Sequence, residues 1–152
     1  MKTLRLYPDT SVFGGSYDHE FAGPSRRLFE LVSEGVFILT ISSLTVDELL
    51  NAPEFVRQSL DALSPASVES FEITEEMERL RDAYIRAGVL GKSSEADALH
   101  VAAASVANVD MIVSWNFRHI VRYDKIRGFN AVNLLNGYKR VDIYSPLEIV
   151  EI

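Results

Sequence analysis

The chain has 152 residues, of which 47% are apolar and 24% are charged. These values predict one folded domain over residues 1–152, with enough apolar side chains for a single core. The absence of cysteine excludes disulfides, thiolate metal ligands and cysteine nucleophiles, so any metal must be held by oxygen or histidine. The formal charge of −7 argues against nucleic-acid binding by bulk electrostatics, because phosphate binding usually depends on many Lys and Arg contacts.

The N-terminal sequence MKTLRLYPDTSV lacks the apolar run and the small-residue cleavage pattern of a secretory signal. No segment approaches the ~18 consecutive apolar residues of a membrane span. We therefore expect a cytoplasmic protein that does not enter a membrane.

Residues 3–8 alternate apolar and polar side chains and stop at a proline, which predicts a short strand that delivers Asp9 to its C-terminal edge. A loop is expected at Gly14–Ser16, and helical spacing predicts a helix from Ser25 to Gly35. The run VFILTI is typical of a strand, and Ser42 or Ser43 can cap the next helix, LTVDELLNA.

In the second half, a segment from Pro53 through Leu63 precedes a third strand at residues 70–73 and an amphipathic helix that begins at Thr74. The run SSEADALHVAAASVANVD predicts a buried helix, and MIVSW a strand. Near the C-terminus an Ile-Tyr or Leu-Glu-Ile-Val stretch supplies one or two more strands. Strands separated by helices predict an α/β sandwich with a mainly parallel sheet, whose sites lie beyond the carboxyl ends of the strands, where Asp9 and Asn116 fall.

Three acids stand just after predicted strands or near helix starts: Asp9, Glu48 and Asp97. Clustered carboxylates can hold a hard cation such as magnesium or manganese, and such an ion supports phosphodiester hydrolysis by water. We therefore expect these three acids to converge.

Each acid also has an ordinary structural explanation. Asp9 could cap the following turn, Glu48 completes a capping box with Thr45, and Asp97 completes one with Ser94. Taken singly, capping is favoured for Glu48 and is about even for Asp97. Asp9 is favoured as a site acid, because it follows an apolar strand directly.

Four segments, YPDTSVF, the DEL of SSLTVDELL, EADALHVAAA and IVSWNFRHI, span residues 7–120. In their order and spacing they resemble the PIN-domain family, which includes the VapC-type toxin ribonucleases. The resemblance implies a three-layer sandwich, a closing strand at SPLEIV, and a ribonuclease that uses magnesium or manganese. It implies that Asp9, Glu48 and Asp97 bind the metal, and that Asn116 occupies the family's last acidic position behind Ser114.

Asn116 is a departure, because many members of the family have aspartate there. An amide oxygen can ligate a hard cation but adds no negative charge, so we expect weaker metal affinity or a single ion. The candidate substrate-binding residues are Thr10, Ser114, Arg118, His119 and Arg122. A simple Ser/Thr turn explains Thr10 about equally well, and for a lone histidine such as His119 a role in holding the loop by hydrogen bonds is favoured.

Other residues near these segments have simpler explanations. His100 is better explained as a packed or hydrogen-bonded core residue than as a ligand. Trp115 and Phe117 are expected to pack in the core, with base stacking as a secondary role.

Residues 114–140 carry six Lys and Arg residues against one acid, Asp124. A solvated basic loop is the ordinary interpretation, and contact with RNA phosphates is the functional one.

The leading hypothesis is an endoribonuclease, toxin-like and restrained by a cognate antitoxin. The first alternative is a catalytically weakened PIN domain that binds RNA or protein, motivated by Asn116 and the charge of −7. A phosphatase with Asp9 as nucleophile, as in dehalogenase-like enzymes, is disfavoured because Ser11 stands where those have aspartate. A homodimer is also considered, because segments 25–34 and 74–88 have apolar faces, which core packing explains equally well.

Overall fold

The structure is a computed structural model that describes residues 2–151. Strands and helices alternate through most of these residues, as the sequence predicts. The elements are β1 (Leu4–Pro8), α1 (Thr10–Gly15), α2 (Ala22–Ser33), β2 (Phe37–Ser42), α3 (Ser43–Leu50), α4 (Glu54–Asp61), β3 (Val68–Phe71), α5 (Glu75–Arg86), α6 (Glu95–Val106), β4 (Met111–Val113), α7 (Tyr123–Leu135), β5 (Asp142–Tyr144) and α8 (Pro146–Val150).

The five strands form one sheet in the order β3-β2-β1-β4-β5, and every neighbouring pair is parallel. The predicted α/β class is confirmed, and the sheet is wholly rather than mainly parallel. Strands are added to one side of β1 first and to the other side later, so the topological switch lies between β1 and β4. Asp9 marks this point, because its N–H donates to the carbonyl of Val113 at 3.1 Å. Crevices at such switch points are where open α/β sheets bind ligands.

Adjacent residues of β1 point to opposite faces of the sheet and belong to two separate cores. Tyr7 packs with Ile112 and with side chains from α5, α6 and α7. Leu6 packs with Val113 and with side chains from α1, α2, α4 and α8. The result is the expected three-layer sandwich, with helices on both faces.

Helix α1 replaces the loop that was expected to include Gly14 and Gly15. A Cβ on Gly15 would lie 2.5 Å from Ser25 Oγ and 2.6 Å from Trp115 Nε1. The glycine therefore serves close packing of the α1 backbone against Trp115, which sequence alone does not distinguish from a flexible turn.

Helix α7 corrects the interpretation of the basic stretch as a loop. Its buried side includes two asparagines beside apolar residues, which weakens the hydropathy pattern. Asn130 uses both amide atoms to bond the backbone of Val141, accepting from its N–H at 2.8 Å and donating to its carbonyl at 3.3 Å. The helix is thus fixed to the entrance of β5 by hydrogen bonds as well as by apolar packing.

Near the C-terminus the Ile-Tyr strand is confirmed as β5, but the predicted Leu-Glu-Ile-Val strand is wrong, because these residues form helix α8. Pro146 stands at the first turn, and the Ser145 N–H donates to Glu148 Oε1 at 3.1 Å, closing a capping box. The third strand also lies two residues earlier than predicted, at Val68–Phe71. Within residues 2–151, no helix combines the length and apolar character needed to span a membrane.

Candidate active site at the carboxyl edge of the sheet

Asp9 is buried at the junction of β1 and α1, with 4% of its surface exposed. It stands at the N-cap of α1, but its side chain makes no capping hydrogen bond. Instead Ser11 Oγ donates to Asp9 Oδ1 at 2.5 Å and itself accepts from the N–H of Trp115 at 3.0 Å. Burial raises the pKa of Asp9 and the charge of Asp97 raises it further, while His100 and the hydroxyls of Ser11 and Ser114 oppose the rise.

Glu48 lies in the last turn of α3 and is half-buried. The predicted capping box with Thr45 is wrong, because Ser42 caps the helix and Thr45 itself closes the box. The Glu48 carboxylate is therefore directed at the site, where Oε1 accepts from Thr10 Oγ1 and lies 2.6 Å from His100 Nε2. Burial alone would raise the pKa of Glu48, but these contacts with His100 and Thr10 outweigh burial and lower it.

Asp97 lies in the first turn of α6, half-buried, and the predicted capping box with Ser94 is wrong because Ser94 makes no side-chain cap. Burial raises the pKa of Asp97, and the charge of Glu48 adds to the rise. The charges of His119 and His100 and a hydrogen bond with Asn116 act in the opposite direction. The charge of Asp97 thus acts on Asp9, and the charge of Glu48 acts on Asp97.

A buried series of hydrogen bonds orients Glu48. Tyr7 Oη contacts His100 Nδ1 at 2.7 Å and Ser42 Oγ at 2.8 Å, while the opposite nitrogen of His100 contacts Glu48. His100 is thus a hydrogen-bonded core residue, as predicted, and it also orients an acid of the site. The sequence signal for this role is its position three residues after Asp97, on the same face of α6. Tyr7 was missed, although a buried tyrosine hydroxyl needs a partner.

Asn116 is the third residue of the loop between β4 and α7, and its Oδ1 accepts from the N–H of His119 at 2.9 Å. A backbone N–H can only donate, so this bond fixes the orientation of the amide, and only Nδ2 can be the donor through which Asn116 lowers the pKa of Asp97. Ser114 is fully buried, and its Oγ accepts from the N–H of Asn116 at 2.9 Å. Asn116 thus acts on Asp97 as a neutral hydrogen-bond donor.

Two of the basic residues after Asn116 have partners outside the acidic site. Arg118 is exposed in the same loop as His119. Arg122 Nε pairs with Asp124 at 2.8 Å, and Lys125 Nζ donates to the carbonyl of Val89. The candidates for phosphate contact closest in sequence to Asn116 are therefore Arg118 and His119.

The two aromatic residues of this segment differ. Trp115 is buried, as predicted, and stacks on Phe21 with ring centroids 4.1 Å apart and an interplanar angle of 16°. The prediction that Phe117 packs in the core is wrong, because 47% of its surface is exposed. Regular strand alternation ends at Val113, so it does not determine where Phe117 points.

The acids fit a hard cation in donor type and charge. Among residues 2–151, no Lys or Arg forms an ion pair with Asp9 or Asp97, although one carboxylate is buried and the other half-buried. In the same part of the chain, however, no three acidic or histidine side chains are grouped so that they could hold one ion. The donors share an edge of the sheet, and their side chains do not close around a single point.

Neither models of known protein families nor curated proteins give a match to this sequence. Functional inference therefore depends on the geometry of the site.

Proposed function

We propose that the protein is an endoribonuclease that depends on a divalent cation, with Asp9, Glu48 and Asp97 as its acidic core. The observation that supports this most is the Asp9 carboxylate, which is buried at the topological switch point without a cationic ion-pair partner among residues 2–151. Burying a carboxylate that has hydroxyl donors but no Lys or Arg partner costs free energy. Groups kept under such conditions in a cleft are candidates for function.

Magnesium or manganese would be held by Asp9 and Asp97, and Glu48, whose Oε1 is bonded to Thr10 and His100, would add negative charge beside the ion. When bound, such an ion lowers the pKa of water and neutralises charge that develops on phosphate. The protein's own side chains orient the acids: Ser11 bonds Asp9, while Thr10 and His100 bond Glu48.

The RNA-binding residues of this proposal lie along the loop that follows β4. Arg118 and His119 would contact the phosphates beside the scissile bond, and exposed Arg122 a phosphate further away. Thr10 and Ser114 would support substrate binding by holding residues of the site in position, because Thr10 bonds Glu48 and Ser114 bonds Asn116.

The test is cleavage of a mixed set of structured RNAs with manganese, magnesium or a chelator. We expect cation-dependent cleavage that falls by at least about a hundredfold in Asp9→Asn and in Asp97→Asn, since about 2.7 kcal/mol of lost transition-state stabilisation has that effect. Asp110→Asn is the matched control, because Asp110 lies at the opposite edge of the sheet, where it accepts from the N–H of Arg5. Cleavage that persists in both site variants would contradict the proposal.

A second candidate is a binding module that retains the fold without efficient catalysis. Asn116 adds no charge, its amide oxygen already bonds His119, and the acids do not close around one ion in the described residues. In that case the protein should bind RNA or a protein partner equally well after Asp9→Asn, with no cleavage under any cation.

Partners beyond RNA follow from the resemblance alone, and a cognate antitoxin remains such an expectation. The apolar faces of segments 25–34 and 74–88 do not support a homodimer. Their apolar side chains are buried in the protein's own cores, namely Leu28, Phe29 and Val32 in the first segment and Met77, Leu80 and Tyr84 in the second.

A further inference from the structure

A cleft of about 510 Å³ opens beside the acidic site. Ser11 and Asn116 line it, and these residues bond Asp9 and act on Asp97 respectively. A group in the cleft would therefore be adjacent to the acids. The volume is within the range of small-ligand sites, roughly 300–1,000 Å³.

One wall of the cleft is aromatic and rigid. Phe21 and Trp115 both line it, stacked on each other, and Trp115 Nε1 donates to Ser25 Oγ at 2.8 Å. The close approach of Gly15 to the same indole fixes it further. Phe21 is only half-buried, so part of this residue is open to solvent.

The charge of the lining selects the kind of occupant. Asp18 is the one charged residue among those that line the cleft in the described chain. A phosphate group would be repelled there, whereas a neutral, flat ring with N–H donors would meet an acceptor and an aromatic surface.

We propose that this cleft binds one unstacked nucleobase of single-stranded RNA, next to the phosphodiester held at the acidic site. The inference deepens the proposed function and rests on it for the identity of the ligand. Stacking on Phe21, backed by Trp115, supplies affinity that does not depend on positive charge. This matters for a chain with a formal charge of −7, in which attraction of phosphates is weak.

Gly14 offers a way to block the cleft without disturbing the core. A Cβ built on this residue has nothing within 4 Å, although the residue lines the cleft. Leucine has a higher helix propensity than glycine, so Gly14→Leu should fold and place its side chain in the cleft. Phe55→Leu is the matched control, because Phe55 is an exposed aromatic outside the cleft.

The experiment measures binding in the presence of a chelator, so that cleavage does not interfere. A single-stranded RNA of roughly eight nucleotides is titrated into the protein, together with versions that carry one abasic position each. Trp115 is the only tryptophan of the chain, so its fluorescence reports occupancy of the cleft directly.

We expect the intact RNA to change the fluorescence of Trp115, and one abasic position to weaken binding by at least about fivefold. Gly14→Leu should show the same loss with intact RNA and no further loss with abasic RNA. Phe55→Leu should behave as the wild type does.

Equal binding of intact and abasic RNA at every position, or wild-type affinity in Gly14→Leu, would overturn the inference. The proposed function fails separately. Base-dependent binding without cleavage in manganese would support the cleft and reject the nuclease. Cleavage of intact and abasic RNA at equal rates would support the nuclease and reject the cleft.

Discussion

The two edges of the sheet treat an aspartate in opposite ways. At the amino edge, Asp110 accepts from the N–H of Arg5 at 2.7 Å and pairs with Lys2 at 3.4 Å. Burial alone would raise the pKa of Asp110, but these partners outweigh it and lower the pKa. At the carboxyl edge, burial and the charge of Asp97 raise the pKa of Asp9.

Ionised Asp110 thus stabilises the fold, whereas ionised Asp9 and Asp97 destabilise it. Asp110 joins the start of β1 to the start of β4, and its charge is compensated. Burial raises the pKa of both Asp9 and Asp97; the charge of Asp97 adds to the rise at Asp9, and the charge of Glu48 adds to the rise at Asp97. A cation is the simplest partner that would remove this cost, and a local conflict of this kind is expected at functional sites more than elsewhere.

The largest expected effect is stabilisation by a cation. Manganese at a concentration about a hundred times its dissociation constant should raise the free energy of unfolding by about 2.7 kcal/mol. Asp9→Asn and Asp97→Asn should lose most of this gain, and Asp110→Asn should keep it. Thermal unfolding with and without manganese measures the effect. An equal gain in all four proteins would mean that the ion binds elsewhere.

Without any cation, replacing an aspartate by asparagine should change the free energy of unfolding by a smaller amount, and with opposite signs at the two edges. Asp110→Asn should lower the free energy of unfolding by ~1 kcal/mol, because it weakens charge-assisted hydrogen bonds. Asp9→Asn should not lower it and is expected to raise it, since a neutral side chain is cheaper to bury. Urea unfolding at neutral pH tests both variants. Destabilisation of Asp9→Asn as large as that of Asp110→Asn would remove the distinction between the edges.

Much of the scaffold could be predicted because its signals are local. The apolar strand that ends at Pro8 delivers Asp9 to the carboxyl edge, and the apolar circumference of α6 predicts burial. What could not be predicted depends on partners distant in sequence. Asn130 and Asn133 are buried in α7 because they bond Val141, Ser105 and Tyr84. The pairing of His100 with Tyr7 and Glu48 joins three elements, so no single segment reveals it.

The smallest expected effect is the pH dependence of stability without a cation. An acid whose folded pKa is raised contributes stability below its ordinary pKa, and this contribution is lost as pH rises through the folded value. Asp9 and Asp97 belong to this class. Asp110 has a lowered pKa, so its contribution is present at neutral pH and is lost as pH falls.

Unfolding by urea from about pH 2 to about pH 8 should separate these contributions, because the loss for Asp110 falls below its ordinary pKa and the loss for Asp9 and Asp97 falls above theirs. Asp9→Asn should remove part of the decline in stability toward neutral pH, whereas Asp110→Asn should remove part of the decline toward acid. Parallel profiles for the wild type and Asp9→Asn would mean that the buried carboxylate is compensated in solution, and the main support for a cation site would be lost. A saturating cation should have the same flattening effect in the wild type, because it stabilises the ionised forms of Asp9 and Asp97 that burial disfavours.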